Sequence, residues 1–263
     1  MEISHIKDLT PYMDVNEIIA TLTQEVHGIL GDELVGLYLM GSLTYDDFNP
    51  ERSDIDLLVA TKSALSKEKL DEIEAMHART GEANEKWTKR IECSYVPIEM
   101  LENILPPKTP RPYIGEGVFY TKAPYGNEWL INQYLLYKHG IPLVGPDFKE
   151  LVNPIDIKEV QKACVRDLFQ EWEPKIKDSK YLQNSHYQSY VVLNLCRILY
   201  TVMCGEVVSK KVSSSWAKEE FGSEWGDLIQ TAENWQYGTE MKLQDQTVDF
   251  IKFVISKVKE KHF

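Results

Sequence analysis

A chain of 263 residues is long enough for one large domain or two modest ones with real cores, and its 43% hydrophobic and 27% charged residues are ordinary for a soluble fold. No apolar run reaches the roughly 18 residues of a membrane span; the most apolar stretch, residues 190–203, is interrupted by Asn194 and Arg197. A net charge of −12 repels polyanions, so neither nucleic acid nor membrane is an expected partner, whereas a cationic small molecule suits the surface.

The opening MEISHIKDLT lacks the basic-then-apolar pattern of a signal peptide, so a cytoplasmic protein is expected. Over residues 15–30, Ile18, Ile19, Leu22, Val26 and Leu30 recur at helical spacing, with Asp14 as the expected N-cap and Gly31-Asp32 as the stop. Residues 34–40 read as a strand, 41–45 as a turn or the start of a short helix, and 55–60 as a second strand. A helix over 66–80 follows, carried by Leu70, Ile73 and Met76, and then an alternating third strand over 90–98. The order helix–strand–turn–strand–helix–strand predicts a small mixed α/β domain. Residues 105–126 are rich in Pro and Gly and are read as the domain connection, with domains over 1–110 and 111–263.

Beyond that point helical patterns dominate, over 127–139, 156–172, 185–204, 213–221, around 226–235, and 248–259. In the last, Val248, Ile251, Val254, Ile255 and Val258 form one apolar stripe, so the second half is expected to be a helical bundle. Cys93, Cys164, Cys196 and Cys204 show no CxxC or zinc-ligand spacing and read as reduced core thiols.

The chemistry concentrates in LYLMGSLTYDDFNPERSDIDLLVA, residues 37–60. Two carboxylates two apart on a strand, Asp54 and Asp56, project from one face and repel each other, which a divalent metal would offset. Asp54 and Asp56 supply the hard oxygens magnesium prefers. A glycine at 41 allows close backbone approach to a phosphate, backbone N–H groups at a following helix start can hold its oxygens, and the Ser42 hydroxyl adds a donor. Glu92, in the alternating stretch Arg90-Ile-Glu-Cys-Ser-Tyr95, is opposite in phase to Ile91, Cys93 and Tyr95 and is the best third carboxylate. Glu99 is a weaker rival behind Pro97.

Gly41-Ser42 followed by Ser53-Asp54-Ile-Asp56-Leu-Leu-Val resembles the signature of the nucleotidyltransferase superfamily, the DNA polymerase β-like fold. Residues 191–217 (VVLNLCRILYTVMCGEVVSKKVSSSWA) are further similar to the C-terminal helical domain of the aminoglycoside (3'')(9) adenylyltransferases. Arg197, Gly205, Lys210 and Trp216-Ala217 stand at the matching positions. The segment HGIPLVGP, residues 139–146, resembles the same family at the entry to its helical domain.

The resemblance implies an α+β protein: an N-terminal polymerase β-like domain with a small mixed sheet, then a C-terminal α-helical bundle. It implies that Asp54, Asp56 and Glu92 bind magnesium, two ions being expected, and that Glu92 also serves as general base. Gly41, Ser42 and Ser53 would hold ATP, with Arg197 and Lys210 (or its neighbour Lys211) on its phosphates. The expected reaction moves AMP from ATP to a hydroxyl of an aminoglycoside or aminocyclitol and releases pyrophosphate, in a cytoplasmic monomer. Residues 180–188, leading into the long helix, lack the Trp and acidic residue of streptomycin-modifying members, so spectinomycin is expected over streptomycin. The competing readings are a nucleotidyltransferase acting on protein, tRNA or another metabolite, and a catalytically silent nucleotide sensor.

Overall fold

Strands with one apolar face must bury it, and here α1 (Met13–Leu30) supplies the cover. The computed structural model describes residues 6, 8–84 and 86–261. In chain order these form α1, β1 (Leu34–Met40), β2 (Ile55–Thr61), α2 (Lys67–Ala83), β3 (Ile91–Pro97), β4 (Arg111–Gly115), β5 (Val118–Ala123), α3 (Trp129–His139), β6 (Ile141–Val144), α4 (Ile157–Asp167), α5 (Ser185–Cys204), α6 (Lys210–Asn234) and α7 (Gln244–Glu260), joined by short helical turns. They divide into two compact units. One holds the described residues up to 48 with 53–125 and 132–154; the other holds 49–52, 126–131 and the described residues from 155 onward.

The first unit is a six-stranded mixed sheet in the order β5-β4-β3-β2-β1-β6. Only β2 and β3 are parallel among its pairs. Parallel neighbours need a crossover, and α2 provides it. Ser66 caps α2 by accepting the Lys69 amide at 3.2 Å. Ile18, Ile19, Leu22 and Val26 of α1 pack with Leu37, Leu39, Ile55, Leu57, Ile91 and Cys93 in one buried core. Each such side chain contributes about 1.5–3 kcal/mol on burial.

Three expectations change here. The N-cap position of α1 is Tyr12, not Asp14, and its side chain makes no cap hydrogen bond; Asp14 lies in the first turn and accepts the Trp87 indole N–H at 2.9 Å. The sheet does not stop near residue 110, because residues 111–123 form the β4–β5 hairpin around Glu116 and Gly117, both with positive φ (52° and 77°). That is the backbone of a two-residue turn of the primed type. The HGIPLVGP segment returns to the sheet as β6 beside β1.

The second unit is helical. Its α5 ends at Gly205, whose φ of 73° is left-handed. The predicted helices over 213–221 and 226–235 are one helix, α6, kinked at Phe221. Cys93, Cys164 and Cys196 are buried and Cys204 is exposed; all four are free. Among the described residues no helix is long and apolar enough to cross a membrane.

Candidate active site

β1 runs out at Met40, which pairs with Asp56 on β2. The chain then turns at Gly41, with φ at 71°, into a single helical turn, Gly41–Thr44, that carries Ser42. The Thr44 hydroxyl closes this turn on the Gly41 carbonyl at 2.8 Å. A side chain at 41 is excluded twice over: the backbone is left-handed, and an added Cβ would sit against the Asp56 carboxylate, 2.8 Å from its Cγ. Glycine here keeps open the space beside Asp56.

The parallel β2–β3 ladder sets Ile55 opposite Ile91, Asp56 opposite Glu92 and Leu57 opposite Cys93. Alternation sends Ile55, Leu57, Ile91 and Cys93 into the core, and leaves Asp56 and Glu92 half-buried on the other face. Two carboxylates thus share one face through backbone register alone.

Asp54 lies just ahead of β2, beside a buried cation. The Arg90 guanidinium stands 3.8 Å from an Asp54 oxygen, donates to the Ser53 carbonyl, and stacks 4.4 Å from the Trp87 ring centre. The charge of Asp54 therefore has a counterion within the fold. Among the described residues no group of three or more His, Cys, Asp or Glu gathers closely enough to hold a metal ion. The register unites Asp56 with Glu92, whereas Asp54 is turned to Arg90. Glu99 is exposed in the turn Ile98–Met100 after β3.

Two residues on β4 were not singled out from the sequence. The Tyr113 hydroxyl hydrogen-bonds Glu92, and its ionisation is pushed far up, first by burial and then by the charges of Glu92 and Asp56. Arg111 packs 5.0 Å from the Tyr113 ring and donates to the Ser94 hydroxyl at 2.9 Å. Their signal was hidden because β4 lies in the Pro- and Gly-rich stretch.

In the helical unit, Arg197 of α5 donates to Asn194 at 2.9 Å, and Lys210, the first residue of α6, stands 4.6 Å from the Tyr190 ring centre. Arg197 also acts on the Tyr190 hydroxyl, so one tyrosine lies under the influence of both predicted phosphate-binding cations. Close by, Asp167 is only 3% exposed and accepts the Trp172 indole N–H at 2.9 Å. Burial, with Glu128 and Glu171 adding to it, raises its carboxyl to about 7 against the pull of Trp172 and Arg197. Sequence reasoning passed over Asp167 because an acidic residue at the end of a charged helix carries no pattern.

The comparisons agree with this architecture. The nucleotidyltransferase domain family matches residues 23–110, and the aminoglycoside adenylyltransferase C-terminal domain family matches residues 150–260. A spectinomycin 9-adenylyltransferase of Campylobacter jejuni is 26% identical over 232 residues, 84% of this chain and 86% of that protein. An aminoglycoside (3'')(9) adenylyltransferase of Klebsiella pneumoniae is 25% identical over 262 residues, 91% of this chain and 95% of that one. A spectinomycin adenyltransferase from Enterococcus faecialis, solved with ATP and spectinomycin, superposes with a TM-score of 0.74 at 20% identity, covering 92% and 98% of the two chains; it shares the fold. The sheet, its carboxylate pair and these matches define a nucleotidyltransferase enzyme. Within that class, residues 150–260 match the C-terminal domain of the aminoglycoside adenylyltransferases, and the chain is similar over most of its length to spectinomycin and aminoglycoside (3'')(9) adenylyltransferases.

Proposed function

We propose that the chain transfers AMP from ATP to a hydroxyl of an aminocyclitol antibiotic, spectinomycin before streptomycin, with release of pyrophosphate. The observation that carries this reading is the Asp56–Glu92 register beside the space Gly41 keeps open. The names of the relatives support the acceptor class. The sequence of residues 180–188 favours spectinomycin. The enzyme acts in the cytoplasm, as a monomer.

In this reading Glu92 takes the proton of the attacking hydroxyl, which is a poor nucleophile until that proton can leave. The oxygen then forms its bond to the α-phosphorus in line with the departing pyrophosphate. Gly41, Ser42 and Ser53 hold the nucleotide, and Arg197 and Lys210 are the cations offered to its phosphates. Asp56 and Glu92 fit a magnesium site as paired hard oxygen donors, and Asp54 would join them in exchange for its contact with Arg90. Bound there, two magnesium ions would supply charge stabilisation to the phosphates. Half-buried Glu128 and the partly exposed Tyr181 and Tyr190 rings, both packed on buried Trp172, offer carboxylate and aromatic surface to a cationic acceptor.

The test is incubation with ATP, magnesium and a panel of aminocyclitols, followed by mass spectrometry. A gain of one AMP on spectinomycin is expected. No adduct on any acceptor, with ATP left intact, would refute the assignment.

A further inference from the structure

β4 runs antiparallel to β3, with Cys93 opposite Ile114 and Ser94 opposite Tyr113. Continuing that register by one step sets Gly115 across from Glu92. The backbone of Gly115 does not require glycine, since its φ is not positive. The space above it does. A Cβ at 115 would lie 2.5 Å from the Tyr113 hydroxyl oxygen and 2.6 Å from its Cε1. The Tyr113 ring therefore lies along β4 over the bare backbone of Gly115, towards the residue across the ladder. Arg111 packs against the same ring and is itself tied to Ser94 on β3. The ring is thus held in a lane that ends at the Glu92 carboxylate, where its hydroxyl hydrogen-bonds.

We propose that Tyr113 is the positioning residue for Glu92, and that Gly115 is the gap in β4 that allows it to reach. A phenol has one hydrogen to donate, and a carboxylate has several lone pairs. Tyr113 occupies one of those sites and fixes the carboxylate plane, leaving the rest to face the incoming hydroxyl. This inference rests on Glu92 being the base of the proposed reaction.

Tyr113→Phe removes the hydroxyl and keeps the ring, while Gly115→Ala keeps the hydroxyl and displaces the ring. Each is expected to lower kcat about tenfold, the scale of one hydrogen bond to a charged group, with the KM for ATP within about twofold of wild type. The double variant should be no slower than the slower single one, because both changes break the same contact. Wild-type kcat in Tyr113→Phe would overturn the proposal, as would a change confined to KM. A second readout is independent of turnover. In protein labelled with ¹³C at its glutamate carboxyls, the resonance absent from Glu92→Gln identifies Glu92. That resonance should move in Tyr113→Phe and stay in Tyr120→Phe, which alters the exposed neighbouring strand. An unmoved resonance overturns the inference even if the protein transfers AMP. A moved resonance in a protein that transfers nothing leaves the contact standing and removes only the assigned reaction.

Discussion

Asp56 stands opposite Glu92 across the parallel β2–β3 ladder, so two carboxylates far apart in sequence share one face by register alone. Their roles should separate under substitution. Glu92→Gln keeps size and hydrogen bonding but cannot accept a proton at neutral pH. The chemical step should fall by roughly 10²–10⁴-fold with ATP affinity retained. Single-turnover kinetics checks this; a loss of affinity with unchanged chemistry would make Glu92 a ligand and not the base.

Asp54 and Asp56 should part company in stability. Both asparagine variants are expected to lose activity. Asp56→Asn removes one of two facing charges and should hold or raise stability. Asp54→Asn leaves the buried Arg90 guanidinium without its carboxylate, and at 3.8 Å with Asp54 partly exposed the loss should be about 1 kcal/mol. Urea titrations decide it; equal stabilities would show that Arg90 needs only the Ser53 carbonyl.

Gly41→Ala should be severe out of proportion to its size. It places a side chain at φ 71° and against the Asp56 carboxylate, for an expected cost of about 1–3 kcal/mol and a loss of ATP binding. The control is Gly28→Ala inside α1, where an added Cβ meets nothing within 4 Å. That change should stabilise by up to about 1 kcal/mol.

The two units should respond to pH with opposite signs. Asp167 is raised from 3.8 to about 7, chiefly by burial, so the folded state holds its proton more tightly than the unfolded one. Its contribution is intact below pH 4 and stability falls as pH rises towards 7. Asp167→Asn should therefore gain on wild type at pH 8, by at most about 4 kcal/mol at 1.4 kcal/mol per pKa unit, and not at pH 3.5. His77 is lowered from 6.5 to about 4 by burial beside Tyr95, so its contribution is present above pH 6.5 and lost on acidification. Denaturation monitored separately in each unit would show the crossing; parallel pH profiles would contradict it.

The strands that carry the site were legible in two ways: β1 and β2 are short apolar runs buried on both faces, and β3 alternates, with Ile91, Cys93 and Tyr95 against Glu92 and Ser94. That phase placed Glu92 on the polar face without any structure. What the sequence hid follows from the same rule. β5 is exposed along nearly its whole length and β4 contains a proline, so neither shows the alternation of a half-buried strand, and the hairpin read as a connection. Tyr113 was hidden with it. Arg90 was overlooked as a site residue because a basic residue ahead of a strand usually faces water, whereas this one is buried on Trp87. The break in α6 lies at Phe221, directly before Gly222 and shortly before Gly226, glycines that weaken a helical pattern, so a single kinked helix was read as two.

The parallel pairing of β2 with β3 also dictates when the site can exist during folding. Antiparallel neighbours such as β1 and β2 need only a turn or loop between them, but Asp56 meets Glu92 only after α2 has crossed over and docked. Loop closure over the whole crossover precedes any gain from the ladder, which makes it a late and slow step. A nascent or partly folded chain can hold the Gly41 turn against Asp56 and still lack its base. Appearance of nucleotide-dependent chemistry in a refolding experiment would then time the zipping of one particular pair of strands.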